Sequence, residues 1–173
     1  MMTHSGSVAF LAAMAMGAGC ATTGSVGSNT TAARRFVEEF LGGKNPAAFD
    51  DLVDPNVVAY TGLKPDGPIQ GAAQYKQIFG AFSAAFPEVK MTIEELFATE
   101  DRVVVRFSAV AKHEGDFFGV KATHRPITMN ETHVLRFKDG RIVENRVSAN
   151  NFEFELLMAP VLVPMIMPWL AGR

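Results

Sequence analysis

Two short stretches near the C-terminal end of the chain carry polar side chains at every second position. The polar residues are Glu131 and His133 in the first stretch, and Arg146, Ser148 and Asn150 in the second. Asp139-Gly140 lies between the stretches, and an Asp-Gly pair flanked by apolar residues indicates a two-residue hairpin turn. Such a turn places Glu131 opposite Ser148, His133 opposite Arg146 and Met129 opposite Asn150. Because side chains alternate between the two faces of a strand, these polar residues are predicted to share one face.

This set of residue types suits proton transfer next to a carbonyl group. Such chemistry needs a base that takes the proton and donors that hold the enolate oxygen. We predict that His133 is the general base, that Glu131 or Arg146 orients it or the substrate, and that Asn150 and Ser148 donate to the oxyanion. The alternative is a solvent-exposed face with ordinary surface charges, since a one-residue slip in register would move the whole set to the other face.

Apolar residues on neighbouring elements are expected to form pocket walls around this polar face. The residues predicted to contact a substrate there are Tyr60, Phe79, Phe82, Phe107 and Met129. The chain has 14 Phe against 2 Tyr and 1 Trp, and Phe fills space without needing a hydrogen-bond partner. The predicted ligand is therefore a small apolar molecule.

The elements that position these residues follow from periodicity and capping signals. Helices are predicted from Thr30 or Thr31 to about Leu41, after Asn45-Pro46, and from about Ala72 to Phe86. Strands are predicted near residues 57–60, 90–98, 102–113, 127–137 and 141–152. This order predicts an α+β domain, in which three N-terminal helices pack on a curved, mostly antiparallel sheet that encloses a pocket.

Composition and charge argue against several classes of function. The chain has 173 residues, enough for one domain, and a formal net charge of -2 without a long basic run, so no nucleic-acid partner is expected. The four His are scattered, and neither CxxC nor HExxH spacing occurs, so no metal site is predicted. Glycine-rich phosphate-binding motifs are also missing from the sequence.

The N-terminal end differs from the rest of the chain. Residues 8–19 form an apolar run that is followed by Cys20 and a small, polar tether, a pattern typical of a bacterial lipoprotein signal. It departs from that pattern at Gly17, where Leu is usual, and in having no Lys or Arg at positions 1–7. We predict an export segment and tether over residues 1–30, lipidation and membrane anchoring through Cys20, and a location in the cell envelope. A cytoplasmic protein with a disordered extension is the alternative.

The C-terminal end is an apolar tail over residues 158–173, which follows a predicted domain at 31–157. Pro160, Pro164 and Pro168 recur every four residues. Because proline removes a hydrogen-bond donor and breaks helices, a continuous transmembrane helix is not expected. The tail could cover the pocket mouth, pack against a second subunit or contact a membrane surface, and packing onto protein is favoured.

Four stretches of the chain form an ordered set of motifs. Residues 85–96 read AFPEVKMTIEEL, residues 101–106 read DRVVVR, residues 112–120 read KHEGDFFGV and residues 136–144 read RFKDGRIVE. They resemble the SnoaL-like polyketide cyclase (ester cyclase) family of the NTF2-like superfamily, whose motifs AFPD and IED, THxGxFxG and RFxDGKIVE are similar to the first, third and fourth stretches. The resemblance runs from about residue 31 to 157. It implies a cone-shaped NTF2-like fold, no cofactor and a homodimer. The best-known members close a polyketide ring by an intramolecular aldol reaction, while other relatives isomerise, dehydrate or only bind small molecules.

The chain departs from the family at the expected acid/base position. In the family, the strand continues as IVExWxxxD, and its final Asp is taken as the acid/base group. Here Arg146 stands at the Trp position and Asn150 at the Asp position, and an amide cannot act as the base. The resemblance therefore implies cyclase-type or isomerase-type chemistry with His133 as a substitute base. The alternative is a non-catalytic envelope protein that binds an apolar ligand.

Overall fold

The computed structural model describes residues 25–167; residues 1–24, with the predicted lipidation site Cys20, and residues 168–173 lie outside the described part. Its helices are α1 (Val26–Arg35, continued as a π-helix over Phe36–Leu41), α2 (Ala48–Leu52), α3 (Gly71–Ala85) and α4 (Phe152–Ile166). Its strands are β1 (Val53–Tyr60), β2 (Ile69–Gln70), β3 (Lys90–Ala98), β4 (Arg102–Lys112), β5 (Pro126–Lys138) and β6 (Arg141–Ala149). The predicted α+β class is confirmed, and β2 and α4 are additions to the predicted elements.

Helix α1 begins earlier than the sequence predicted. The Ser25 side chain caps it by accepting a hydrogen bond from the backbone N–H of Ser28. The hydroxyls of Thr30 and Thr31 do not cap; each donates to a carbonyl oxygen one turn earlier in the same helix. Serine, threonine and aspartate are all competent caps, so spacing alone could not select among them. Residues 26–30 of the predicted tether are therefore helical.

The six strands form one mixed, open sheet in the order β2-β1-β6-β5-β4-β3. β1 runs parallel to β6, and the other neighbouring pairs are antiparallel. In β4 the side chains at positions 103, 105, 107, 109 and 111 are buried, as expected for a strand with one face against a core. The helices lie on that buried face, and the predicted layering is confirmed.

The turn of the β5–β6 hairpin is as predicted, but the register beyond it is not. Asp139 and Gly140 have φ angles of 51° and 75°, and positive values at both positions match the type I′ turn of two-residue hairpins. A β-bulge follows at once, because Phe137 pairs with Ile142 whereas Arg136 pairs with Glu144. The extra residue shifts every later pair by one position and changes which β6 side chains face the helices.

The core consists of two clusters of buried side chains. The first packs α1, α2 and the start of α3 on the sheet around Phe36, Phe40 and Phe49. The second lies at the other end of α3 and contains Phe82 and Phe86 with residues of β4, β5 and α4. The space between helix α3 and the sheet at the boundary of these clusters is where the candidate site lies.

The C-terminal segment is helical and folds back onto this domain. Phe154 and Met158 are 9% and 2% exposed and belong to the second cluster. The sequence analysis did not predict this helix, because proline is a helix breaker, yet α4 continues through Pro160 and Pro164. Both prolines lie on the exposed side of the helix, where carbonyl groups left without an N–H partner can reach solvent. No helix within residues 25–167 is long and apolar enough to cross a membrane.

Candidate functional site

A cleft opens between α3 and the concave side of the sheet and is closed on one side by α4. It holds about 570 Å³ of space free of protein atoms, part of it open to solvent. Most of its wall is apolar, with Leu41, Phe79, Phe82, Phe107, Met129 and Phe154 among the lining residues. Its polar lining consists of Thr61, Tyr75, Glu131, His133 and Asn151. A few polar groups in an apolar cleft are typical of small-molecule sites.

Glu131 and His133, here called the dyad, are neighbours on the inner face of β5. His133 Nε2 lies 2.9 Å from Glu131 Oε2. The His133 side chain is 1% exposed and is packed between the rings of Phe36 and Phe107, whereas the Glu131 side chain is 22% exposed. Glu131 is therefore the member of the dyad that presents more of its surface to the cleft.

Each carboxylate oxygen of Glu131 has its own donor. Asn151 Nδ2 donates to Oε1 at 2.8 Å, and His133 Nε2 contacts Oε2. Burial alone pushes the pKa of Glu131 upward, but its contacts with His133 and Asn151, the His133 hydrogen bond first among them, hold that pKa below its usual range. The structure therefore holds Glu131 as a carboxylate at neutral pH.

Two further buried groups continue this network behind the dyad. Asn145 on β6 lies between α3 and β5, with its Nδ2 2.9 Å from the Tyr75 hydroxyl and 3.1 Å from His133 Nδ1. Asn145 is 0% exposed and Tyr75 is 2% exposed. Burial, and then the nearby negative charge of Glu131, raise the pKa of Tyr75 despite the Asn145 hydrogen bond, so its hydroxyl keeps its proton.

Comparisons with known proteins agree with this architecture. The sequence profile described as SnoaL-like polyketide cyclase matches residues 31–155. This chain belongs to the SnoaL-like polyketide cyclase family. The aklanonic acid methyl ester cyclase AcmA of Streptomyces galilaeus is 29% identical over 119 residues, which cover 66% of this chain and 79% of that protein.

Solved structures show the same fold in this SnoaL-like chain. A protein assigned as a SnoaL-like polyketide cyclase from Jannaschia sp. CCS1 superposes with a TM-score of 0.68 at 17% identity, covering 77% of this chain and 91% of the other. AclR from Streptomyces galilaeus, which is assigned as a hydroxylase, gives a TM-score of 0.64 at 25% identity, covering 80% and 81%. Because proteins assigned to different reactions share this fold, the fold alone does not specify the reaction, which depends on the residues of the cleft.

The cleft brings together part of the predicted site. Glu131, His133 and four of the predicted wall residues line it: Phe79, Phe82, Phe107 and Met129. These six side chains therefore lie together on the wall of one cleft, and their chemical roles stay predictions.

The remaining predicted residues do not line the cleft. The bulge pairs His133 with Val147 instead of Arg146, so Arg146 and Ser148 lie on the outer face of the sheet. There the Arg146 guanidinium stacks 4.1 Å from the ring centroid of Tyr60, which also lies outside the cleft. Asn150 is exposed and only its backbone N–H is used, in a bond to Asn130 O. The predicted placement of these four residues on the pocket wall was wrong. The bulge accounts for the three residues that follow it in β6 and just after it, whereas Tyr60 lies on β1, where the neighbouring Ala59 takes the buried position.

The same shift brings in residues that the sequence analysis did not select. Val147 and Asn145 take the inward positions on β6, and Asn151 reaches Glu131 from the start of α4. Tyr75 on α3 is the fourth such residue, and a tyrosine among the phenylalanines of that helix is itself a signal that its hydroxyl needs a partner. Val147, directly opposite His133, supplies no acid or base to the cleft.

Within residues 25–167 no group of three or more His, Cys, Asp or Glu side chains could hold a metal ion. The only His–carboxylate contact that borders the cleft in this part of the chain is the dyad itself. A carboxylate in contact with an imidazole is a pair that can hold and transfer a proton.

Proposed function

We propose that this chain catalyses cofactor-independent proton transfer next to a carbonyl group of a small apolar compound, leading to aldol cyclisation or isomerisation. The observation that carries the proposal is a carboxylate, Glu131, held ionised by His133 and Asn151 on the wall of an apolar cleft. The polar members of the cleft are few, and two of them, His133 and Asn151, contact this one group. Membership of a cyclase family and the similarity to AcmA support the same reaction class.

The geometry favours Glu131 over His133 as the base, which exchanges the roles predicted from the sequence. Both ring nitrogens of His133 are engaged, one by Glu131 and one by Asn145, and the ring is buried. Each oxygen of Glu131 has one donor and so keeps a lone pair that can accept a proton. His133 then acts as the group that orients the carboxylate and stabilises its charge.

The proposed step is balanced within the substrate and Glu131. A carboxylate oxygen takes the proton from the carbon beside the carbonyl, and the C–H electron pair moves into the enolate. In cyclisation the enolate carbon attacks a second carbonyl of the same molecule, forming a C–C bond, and Glu131 returns its proton to the new alkoxide. Because the pKa of Glu131 is held low, it is a weak base, and the substrates that fit are acidic carbon acids such as β-dicarbonyl compounds.

Deuterium exchange tests this proposal. The full chain is incubated in D₂O with acetylacetone, ethyl acetoacetate and benzoylacetone, and ¹H NMR follows the loss of the acidic C–H signal. We expect exchange above the buffer rate that Glu131→Gln abolishes and His133→Gln slows. Arg146→Ala, on the outer face of the sheet, is the matched control and should leave the rate unchanged. Because the pKa of Glu131 lies below its ordinary value of 4.5, the enzymatic rate should hold from neutral pH down to about that value and fall only below it.

The variants separate the competing assignments. Loss of exchange in His133→Gln, with full exchange in Glu131→Gln, would restore the histidine as the base. Saturable shifts of cleft resonances without exchange would favour the second candidate, a non-catalytic envelope protein that holds an apolar ligand. The observation in favour of that candidate is Val147, an apolar side chain directly opposite the dyad.

A further inference from the structure

Asn145 is a buried amide that joins two elements which face the cleft from opposite sides. It stands on β6, is 0% exposed, and its Nδ2 lies within hydrogen-bond distance of both Tyr75 on α3 and His133 on β5. Tyr75 and Asn145 are 70 positions apart in sequence. An amide nitrogen has two N–H donors and no acceptor, so the atoms it contacts must act as acceptors.

This requirement fixes the direction of the bonds around it. His133 Nδ1 must be unprotonated to accept from Asn145, so the ring proton is on Nε2 and is donated to Glu131. The oxygen of Tyr75 likewise accepts from Asn145, which leaves the hydroxyl proton for another acceptor. Tyr75 lines the cleft, so that acceptor can be a bound molecule.

We infer that Asn145 is a positioning residue that directs the Tyr75 hydroxyl proton into the cleft, where Tyr75 donates to the oxyanion formed when Glu131 takes a proton from the substrate. This inference rests on the proposed function and adds to it an acid on the side of α3. The raised pKa of Tyr75 keeps the hydroxyl protonated, as a donor requires. Donation from Asn145 to the same oxygen strengthens the O–H as a donor, because hydrogen bonds in a chain polarise one another.

The opposite orientation of the amide would reverse this arrangement. With Oδ1 toward Tyr75 and His133, the amide would accept from the hydroxyl and from an Nδ1–H, and no tyrosine proton would remain for a ligand. In the structure Oδ1 is buried and has no hydrogen-bond partner among the described residues. The two orientations therefore predict different protonation of His133, which can be measured.

The first test reads the tautomer of His133 and is independent of any activity. The full chain is labelled with ¹⁵N-histidine, and two-bond ¹H–¹⁵N spectra are recorded near neutral pH, with His133→Gln used to assign the signal. We expect a neutral ring with the proton on Nε2 and an unprotonated Nδ1. In Asn145→Asp, the introduced carboxylate should accept from Nδ1–H and move Nδ1 to a protonated shift. A protonated Nδ1 in the wild type, or identical spectra in the two proteins, would overturn the inference.

The second test reads the Tyr75 hydroxyl in the exchange reaction. Tyr75→Phe should lower the maximal exchange rate on the order of 10²-fold with KM little changed, the effect of losing one oxyanion donor. The matched control is Tyr60→Phe, which removes the other tyrosine hydroxyl of the chain, located outside the cleft. It should change neither the maximal exchange rate nor KM. An unchanged rate in Tyr75→Phe would show that Tyr75 lines the cleft without donating to the oxyanion, and would overturn the inference. If the wild type exchanges none of the compounds, the proposed function fails. The tautomer of His133 would still show how the Asn145 amide is oriented.

Discussion

Glu131 stays ionised in a cleft whose walls are largely aromatic. An isolated carboxylate in such surroundings would bind a proton, because burial disfavours the charged form. Here one donor on each oxygen, Asn151 and His133, stabilises the charge. The result is a carboxylate that stays charged in an apolar cleft and is available as a proton acceptor.

The depressed pKa of Glu131 predicts how acid affects folding. Its pKa is lower in the folded than in the unfolded chain, so its contribution to stability is fully present above the ordinary value of 4.5 and is lost as pH falls through the folded value. Glu131→Gln should therefore be less stable than the wild type at pH 7, and this difference should shrink as pH falls from 6 to 3. Urea unfolding at several pH values measures it.

The control for this prediction is Glu88→Gln, which removes an exposed carboxylate on the loop before β3. We expect its free energy of unfolding to stay within about 0.5 kcal/mol of the wild type. A difference between wild type and Glu131→Gln that does not change with pH would show that the carboxylate is not stabilised by His133 and Asn151.

Among the elements, the β5–β6 hairpin has the largest effect on the site. One extra residue after the turn exchanges the inward and outward positions of β6 for the rest of its length. Asn145 and Val147 thereby face the cleft, and Arg146 pairs with Glu144 on the outside, with Nε 2.9 Å from Oε1. This single irregularity decides which side chains of β6 face the cleft.

Helix α4 forms a wall of the cleft and packs on the domain through its buried side chains. Shortening one of these side chains should therefore lower the free energy of unfolding. Phe154 packs against Phe82, Phe86 and Phe117 at ring-centroid distances of 6.3, 6.0 and 6.1 Å. Phe154→Ala should lower the free energy of unfolding by about 3 kcal/mol, since a buried aromatic leaves a cavity. Urea denaturation checks this.

The matched control lies two residues earlier on the same helix. Phe152 is 67% exposed, and Phe152→Ala should change the free energy of unfolding by less than about 0.5 kcal/mol. Equal effects of the two substitutions would mean that α4 does not pack on the second cluster as described.

At the scale of the whole molecule, the cleft-bearing domain begins very close to the predicted anchor. Ser25 caps α1, so residues 21–24 alone separate Cys20 from the capped helix. An extended chain spans at most about 3.6 Å per residue, so a lipid on Cys20 would hold the domain within roughly 20 Å of the membrane surface. An apolar ligand dissolved in the bilayer would then be near the cleft.

We predict that Cys20 carries a lipid that anchors the protein to the membrane. Protein produced from the full coding sequence in a bacterial host should fractionate with membranes, and intact-mass spectrometry should show a chain that starts at Cys20 and carries acyl groups. Cys20→Ser should lose both properties. A wild-type mass that includes Met1 and carries no lipid would contradict the anchor.

The sequence by itself determined three helices, five of the strands and the inner face of β5. Asp139-Gly140 specified the hairpin turn, alternation placed Glu131 and His133 on one side of a strand, and helical periodicity placed Phe79 and Phe82 on the side of α3 that faces the cleft. These are local properties, because turn conformation and side-chain period depend on neighbouring residues.

Only the tertiary structure decided which residues of β6, α3 and α4 complete the site. The pairing of Arg136 with Glu144 creates the bulge, and no local signal in residues 141–144 specifies it. Contacts such as Asn145–Tyr75 join residues far apart in sequence, and the packing of Phe154 holds α4 over the cleft despite its prolines. One inserted residue moves every later side chain of a strand to the opposite face of the sheet. A site built on two strands therefore depends on the long-range packing that selects the register.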